Sequence, residues 1–535
     1  MFRSRIFWII IVLSTISAAG FYAYQKLYNT SNLIEHIPSN AAFVFTVNFK
    51  SLSGKLNYEK LKKMNFMQEL KKVARQRSRE ESETVNNLLD NPFTTGINFL
   101  KDAFVFGVSK NGSEAFGLVF EISDEDDFEK FIKTLPEVKN LPAKQEHYTT
   151  VDLEEGVILV WNDNTAILLG NMREGKEKYA DQLMTMENSE CISSIPTFKK
   201  FISSKYDVGA YFAYDGVAEL FSSKFRNIPN DYNLTGATAA LTLNFEDDEI
   251  VLDTEINDPS GKLEKNNMLS ENGVGKKTLS NITNDKILAL GTLALNSDKL
   301  IENLRMNDEY SESISEIAKE LGVGISDIET MFAGEISFCI SGFEMSTLRK
   351  KEYTYNPYTY EPIVTEKLVP QVLPIIISNV QLDNMIVFNQ LMARAKAIKG
   401  TKYWSLNSEG IDIYLVENGD GVTITNSLNV ADRFSSQGSL NAEPSDQIQD
   451  YVTNNSAAFY ASLCMEDYPV SLQDEIKQEM GTRAFQQISN VTSEMNDISI
   501  TISATKIVAR LGMKKGKENS LFRIINMLDE IAMAS

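Results

Sequence analysis

Much the same pattern of twenty residues returns in this chain, and any fold that explains the first occurrence has to explain the second. The first copy is Ile37–Leu56, IPSNAAFVFTVNFKSLSGKL. A proline-started turn leads into an apolar run with partial alternation (Phe43, Phe45, Val47, Phe49), and the run passes through Lys50 and Ser51 into a helix start. Alternation followed by a polar stop and a leucine-bearing segment reads as strand, then helix. The second copy is Asp285–Leu304, DKILALGTLALNSDKLIENL, where alternating Leu293 and Leu295 run into Asn296, Ser297 and Asp298 as cap candidates.

The segments downstream of each copy are also alike. In the first half a long helical region covers Asn57–Asp90, with Leu61, Met64, Met67, Leu70 and Val73 at helical spacing. Phe104–Val108 and Phe116–Ile122 form a hairpin about Asn111-Gly112, a two-residue turn signal. Ser123 or Asp124 then caps an acidic-started helix whose apolar face is Phe128, Phe131, Ile132 and Leu135. A meander (Thr149–Leu153, Val157–Trp161, Thr165–Leu169), a helix opened by Pro196, a strand Val208–Tyr214 with a helix Val217–Phe221, and a closing hairpin (Ala237–Phe245, Ile250–Ile256) complete the half. The second half keeps that order. Glu335–Ser341 with Leu373–Val380 answers the first hairpin, and Gln381–Ala397 answers the capped helix. Gly410–Leu415 with Val422–Thr425 answers the meander, and a helix opened by Pro444 comes next. Ala457–Cys464 answers Val208–Tyr214, and Ile498–Ala504 with Ile507–Leu511 answers the closing hairpin. The expected fold class is therefore α+β: two duplicated halves of mostly antiparallel sheet with helices, after an N-terminal transmembrane helix.

The expected boundaries are 1–24 for a transmembrane anchor or signal, 25–36 for a stalk and 37–256 for the first repeat. An Asp-, Asn-, Gly- and Ser-rich linker spans 257–283, and the second repeat, 284–535, ends in a helix from Ser520 with no counterpart in the first half. Ile6–Tyr24 holds 19 residues without a charge, preceded by Arg3 and Arg5, which is long enough to span a bilayer and places the rest of the chain outside the cytoplasm. Small residues at 17–20 leave a cleaved signal peptide as the rival reading. One insertion breaks the symmetry of the halves. Between Met345 and Gln371 the second half carries Tyr353, Tyr355, Tyr358 and Tyr360, either as an elongated hairpin about Asn356-Pro357 or as a partner-binding loop that uses tyrosine's large contact area.

Charge and residue usage exclude several functions. With 73 acidic and 52 basic residues the formal charge is −21, which repels phosphate backbones and argues against nucleic acid as partner. Lys55–Arg79 reverses the balance, with nine basic residues against two acidic, and reads as a solvated helix face or a patch for anionic head groups. Cys191, Cys339 and Cys464 stand far apart in no ligand spacing. The only histidines are His36 in the stalk and His147 in a polar loop, with none in the second half, which argues against a histidine-based triad and a multi-histidine metal centre. Asp124–Asp127 lacks the spacing of a calcium loop, and GVGKKT at 273–278 lacks the first glycine of a phosphate loop. No catalytic, cofactor-binding or metal-ligating residue is therefore assigned, and no cofactor is expected.

The stretch Ile37-Pro38-Ser39-Asn40-Ala41, with its apolar strand, Val47-Asn48 and Ser51-Leu52, comes after a membrane signal. In this it resembles the opening of envelope-anchored bacterial proteins of unknown function with an I-P-x-D/N-A start and a duplicated α+β body. The resemblance implies a location in the cell envelope, with the bulk in the periplasm or otherwise extracytoplasmic, and no reaction. The expectation is a non-enzymatic binding or scaffolding protein held to a membrane through Ile6–Tyr24, with an envelope protein, glycan or lipid as partner. A carboxylate-dependent hydrolase of an envelope polymer and a carrier of an apolar ligand are the alternatives.

Overall fold

A computed structural model of the chain describes residues 32–534 apart from 57, 62, 69–91, 111–112, 136–137, 139, 155, 172–174, 221–233, 283–285, 306–307, 356, 360–361, 395–396, 409, 420 and 441–444. The apolar span Ile6–Tyr24, most of the basic stretch, the Asn111-Gly112 turn and Tyr360 lie outside the described residues. Among the described residues no helix is long and apolar enough to cross a membrane. The architecture is α+β, in two compact units: Met1–Lys262 with Lys515–Ser535, and Leu263–Lys514.

In the first unit the strands are β1 (Phe43–Val47), β2 (Ala103–Lys110), β3 (Ser113–Glu121), β4 (Ala143–Lys144), β5 (Thr149–Glu154), β6 (Val157–Trp161), β7 (Thr165–Gly170), β8 (Val208–Ala213), β9 (Thr238–Phe245) and β10 (Glu249–Asn257). They pair antiparallel in the order β4-β5-β6-β7-β3-β2-β1-β8-β9-β10. The strand of the repeated pattern thus lies at the centre. It is followed by the helix Phe49–Lys55, whose N-cap Asn48 accepts from the Ser51 N–H at 2.9 Å.

One face of this sheet is covered by short helices, and Val44, Phe104, Phe106, Val108, Ile167 and Tyr211 point into that core. The helix Lys176–Met184 contributes Tyr179 and Leu183, and the helix Pro196–Ile202, opened by its proline, contributes Phe198 and Phe201. The helix Glu125–Lys133 covers the other face at the β5–β7 end only. Asp124 caps it at 2.9 Å, and its fully buried Phe128 meets Trp161 edge-on with centroids 5.6 Å apart. Burying side chains of that size stabilises by about 1.5–3 kcal/mol each.

In the second unit β11 (Ala289–Ala294), β12 (Phe332–Tyr355), β13 (Pro362–Leu382), β14 (Ile398–Lys399), β15 (Trp404–Ser408), β16 (Ile411–Glu417), β17 (Gly421–Thr425), β18 (Ala457–Ser462), β19 (Met495–Ile502) and β20 (Lys506–Met513) pair antiparallel. Their order is β14-β15-β16-β17-β13-β12-β11-β18-β19-β20, the same connectivity strand for strand. Asn296 caps the helix Ser297–Arg305 by accepting from the Lys299 N–H at 3.0 Å. The helix Met385–Arg394 lies over β15–β17, with Phe388 against Trp404, Leu415 and Val422.

Three boundaries differ from those expected. The stalk is not free of the body: Asn32–His36 is a short helix, and Leu33 and Ile37 are buried in the first core. The linker is structural as well, since Val274, Leu279 and Ile282 belong to the second unit's core. Its polar residues masked this, because only a few apolar side chains are needed to seat a short segment. The C-terminal helix Ser520–Ala534 belongs with the first unit, where Phe522, Leu521 and Ile525 pack on Leu56, Leu61 and Met64. Its Asp529 accepts the N–H groups of Asn65 and Phe66 at 2.9 and 2.6 Å, and Asn519 donates to the Phe245 carbonyl at 2.9 Å. The helices Val470–Met480 and Thr482–Ser493, between β18 and β19, were not anticipated from the sequence.

Candidate functional site

Two groups of residues merit consideration as a site: a polar cluster at the end of β1 and β8, and the open faces of the sheets. The polar cluster is built by chain crossings at the strand ends. Asp207, fully buried, accepts from Ser51 Oγ and Lys55 Nζ at 2.5 Å each and from the Phe245 N–H at 2.6 Å. Its own carbonyl accepts from the Asn48 N–H at 2.8 Å. Beside it the Tyr206 hydroxyl donates to Asp102 at 3.0 Å, and the Tyr206 ring stacks on Phe201. Serine, lysine and aspartate together invite a nucleophile reading. Here Ser51 Oγ and Lys55 Nζ both donate to the one Asp207 carboxylate, so the hydrogen bonds of all three serve to join chain segments. The cluster fastens the helix after β1 to β8 and β9.

Asp102 shows what burial does in this cluster. Desolvation raises its carboxyl from 3.8 to about 6, against the Tyr206 hydrogen bond and Lys101, which pull the other way. A folded-state value above the unfolded one means that the native protein binds the proton more tightly, so stability falls as pH rises from about 4 through about 6. The loss at neutral pH is roughly 3 kcal/mol. Asp102→Asn keeps an acceptor for Tyr206 and removes the charge. It is expected to be more stable than wild type in urea at pH 7.5 and equal to it at pH 3.5. An equal difference at both pH values would mean that burial of the charge is not what raises the carboxyl.

The other sequence candidates are accounted for by structure. The GVGKKT glycines end at a short helix whose start is already occupied by Glu335, which accepts from the Gly275 N–H at 3.1 Å and from Thr278 Oγ1 at 2.5 Å. Cys191 is buried and donates to the carbonyls of Glu35 and Glu187, and burial pushes the Cys339 thiol up to about 12. His36 Nδ1 lies 2.9 Å from the Leu183 carbonyl, and His147 is exposed. No group of three or more His, Cys, Asp or Glu able to hold a metal ion is found among the described residues.

The open faces are different in kind. In the first unit the pairing register puts Phe43, Phe45, Val105, Phe116, Ala210 and Phe212 on the face opposite the main core. The Phe45 ring meets Phe43 at 5.1 Å and Phe212 at 5.6 Å, yet Phe45 keeps 41% of its surface in solvent. On β9 and β10 the same face continues as Leu241, Leu243 and Leu252. The alternation read in the repeated pattern is real, but its bulkier phase lies on the open side, while Val44 and Thr46 face the core.

In the second unit the open face is equally apolar. Register places Leu293, Ile336, Phe338, Phe459, Ile500 and Ile507 on it. The central row is inverted between the two sheets. In the first it runs Val105, Phe45, Ala210, with the aromatic at the centre. In the second it runs Phe338, Gly291, Phe459, with a glycine between two partly exposed rings. A Cβ built on Gly291 would meet nothing within 4 Å, so a notch stands open between them. Phe459 is 45% exposed. Large apolar side chains concentrated on one solvent-reaching face mark contact surfaces, unlike apolar residues scattered singly.

The tyrosine insertion is an elongated hairpin. β12 and β13 pair continuously out to Tyr355↔Pro362, with register shifts between Phe332 and Ile336 and between Ile340 and Gly342. Backbone pairing sets Tyr353 opposite Val364, and the side chains of Tyr355 and Tyr358 are exposed. Sequence reading singled out these tyrosines and missed Met345, Val364 and Leu368, which share the exposed surface of the arm.

Among curated proteins, none matches the sequence at a significant level. Among solved structures, the chain is similar to crystal forms III and IV of TP0453, at 14% and 15% identity, each with a TM-score of 0.25. The alignments cover 43% and 42% of this chain and 81% of the other in both cases. By sequence the match is far more extensive: over residues 33–521 the chain belongs to the family described as a domain of unknown function, DUF4836.

Proposed function

We propose that this protein is a non-enzymatic binding protein, built from two copies of one α+β module, that is tethered to a membrane by Ile6–Tyr24 with its body outside the cytoplasm. It takes apolar partners on the open sheet faces. The observation that carries this reading is the placement of Phe45 and Phe459 at solvent, Phe45 between Val105 and Ala210 and Phe459 between Gly291 and Ile500 on the open sheet faces. Such a face can retain a partner by burial of apolar area. The buried carboxylates support the same conclusion. Asp207 serves Lys55 and Ser51, Asp529 serves two backbone amides, and Glu329 is paired with Arg305, which holds its carboxyl below the usual range. A paired-acid hydrolase needs two carboxyl groups facing a common substrate. The identical strand order of the two units supports the reading as copies of one module.

The test is photocrosslinking in intact cells with a benzophenone amino acid at Phe459, at Phe45 and, as control, at the exposed helix position Lys178. Expected are adducts of defined added mass from Phe459 and Phe45 and none of the same mass from Lys178. Identical adducts from all three sites, or none from Phe459 and Phe45, would remove the sheet faces as the binding site.

A further inference from the structure

We infer that the outer part of the β12–β13 hairpin is a bilayer-contacting arm, whose more apolar face lies in the lipid interface. The inference rests on the membrane tether proposed above. β11 covers β12 only over Glu335–Ile340, and β17 covers β13 only over Ile377–Gln381. Among the described residues, from Met345↔Val372 outward to Tyr355↔Pro362 the two strands pair only with each other in the sheet. A two-stranded ribbon is marginal in water, and this one shows its apolar side to solvent.

The exposed large apolar side chains of the ribbon gather on one side. Directly opposed residues of an antiparallel pair project to the same face. The pairs Met345↔Val372, Thr347↔Pro370, Arg349↔Leu368, Lys351↔Glu366, Tyr353↔Val364 and Tyr355↔Pro362 therefore share one side, so Met345, Leu368, Val364 and Tyr355 lie on it together with the positions of Arg349, Lys351 and Glu366. Those four are exposed by 70%, 65%, 50% and 66%, and Tyr358 in the turn by 92%. The stripe from Met345 to Tyr355 is about 34 Å long and one ribbon wide, a footprint of roughly 300 Å². A stable protein partner needs about 800 Å² on each side, so the stripe is too small to hold one by itself. A bilayer has no such threshold, because the tether supplies the proximity. Only residues 25–31 separate the apolar span from Asn32, a reach of at most about 25 Å. The body is thus held at the surface at high effective concentration.

Charge favours the same occupant. The chain carries −21, and anionic head groups repel it, whereas residues 345–372 hold four cations and three carboxylates. Tyrosine at the end of an apolar stripe suits the head-group level, where its ring is buried and its hydroxyl stays wet.

The experiment uses the full chain reconstituted into phosphatidylcholine vesicles, with a nitrobenzoxadiazole label on Leu368→Cys, Tyr355→Cys or, on the opposite face of the ribbon, Lys367→Cys, each combined with Cys464→Ser. The expected result is a blue-shifted emission at positions 368 and 355 that is quenched several-fold more by spin-labelled phosphatidylcholine than the emission at 367. Vesicle flotation is read on the same samples. Protein that floats while positions 368 and 355 are quenched no more than 367 overturns the arm and leaves the tether standing. Protein that does not float overturns the tether and the arm together.

Discussion

Replacing Asp207 by alanine is expected to lower stability by roughly 3–5 kcal/mol, because it strands a half-buried cation. Asp207 is fully buried, and the Lys55 side chain keeps only 16% of its surface in water. The same substitution leaves the Phe245 N–H and the Ser51 hydroxyl without their acceptor, each a further loss of about 1–3 kcal/mol if water does not enter. The pair itself is not a source of net stability of that size, since desolvating both ions offsets most of their attraction. The double variant Asp207→Ala, Lys55→Met should accordingly recover much of what Asp207→Ala loses. Hydrogen exchange in β1 and β8 reads this locally: protection collapses in the single variant and returns in the double one. If the two substitutions add without coupling, Asp207 does not hold Lys55 in the way described.

The second large effect is expected from Gly96→Ala. Gly96 has φ of +70°, a left-handed conformation that costs a residue with a Cβ about 1–2 kcal/mol. Space is the larger problem. A Cβ there would stand 2.3 Å from the Asp124 carbonyl oxygen and 2.4 Å from the Phe128 N, both backbone atoms of the capped helix start. Relief requires the helix Glu125–Lys133 to back away, and Phe128 would then leave its contact with Trp161. Losing a buried phenylalanine from a core costs about 3–5 kcal/mol. Tryptophan emission should shift to the red on substitution at 96, while the same change at Gly54, which has nothing within 4 Å, should leave it unaltered. An unshifted spectrum for Gly96→Ala would mean that the helix can be displaced without disturbing Trp161.

Local chemistry was legible along the chain. Asp124 caps its helix, Asn296 caps the one after β11, and Pro196 opens its own. Each of these is settled within four residues of backbone, where donor, acceptor and φ restriction are all written in sequence. The succession of strands and hairpins was legible for the same reason. The fully buried Leu33 and the core positions Val274, Leu279 and Ile282 were not, because composition reports a segment's average and burial depends on a few side chains meeting a distant surface.

What the sequence by itself determined is which positions alternate, where helices begin and which segments pair with their neighbours. What only the tertiary structure decided is which phase of each alternation is covered. Phe43 and Phe45 are larger than Val44 and Thr46, yet the smaller pair faces the core and the rings face out. A period of two divides a strand into two faces without assigning either to the interior. That assignment comes from helices far away in the chain, such as Lys176–Met184 and Pro196–Ile202, which seal one side of the first sheet. The partner of Lys55 lies 152 residues on, at Asp207, and the C-terminal helix docks on Leu56, Leu61 and Met64 at the opposite end of the chain. Contacts of that range are chosen by the closing of the whole core, since the entropy of bringing distant segments together is recovered only when many of them meet at once.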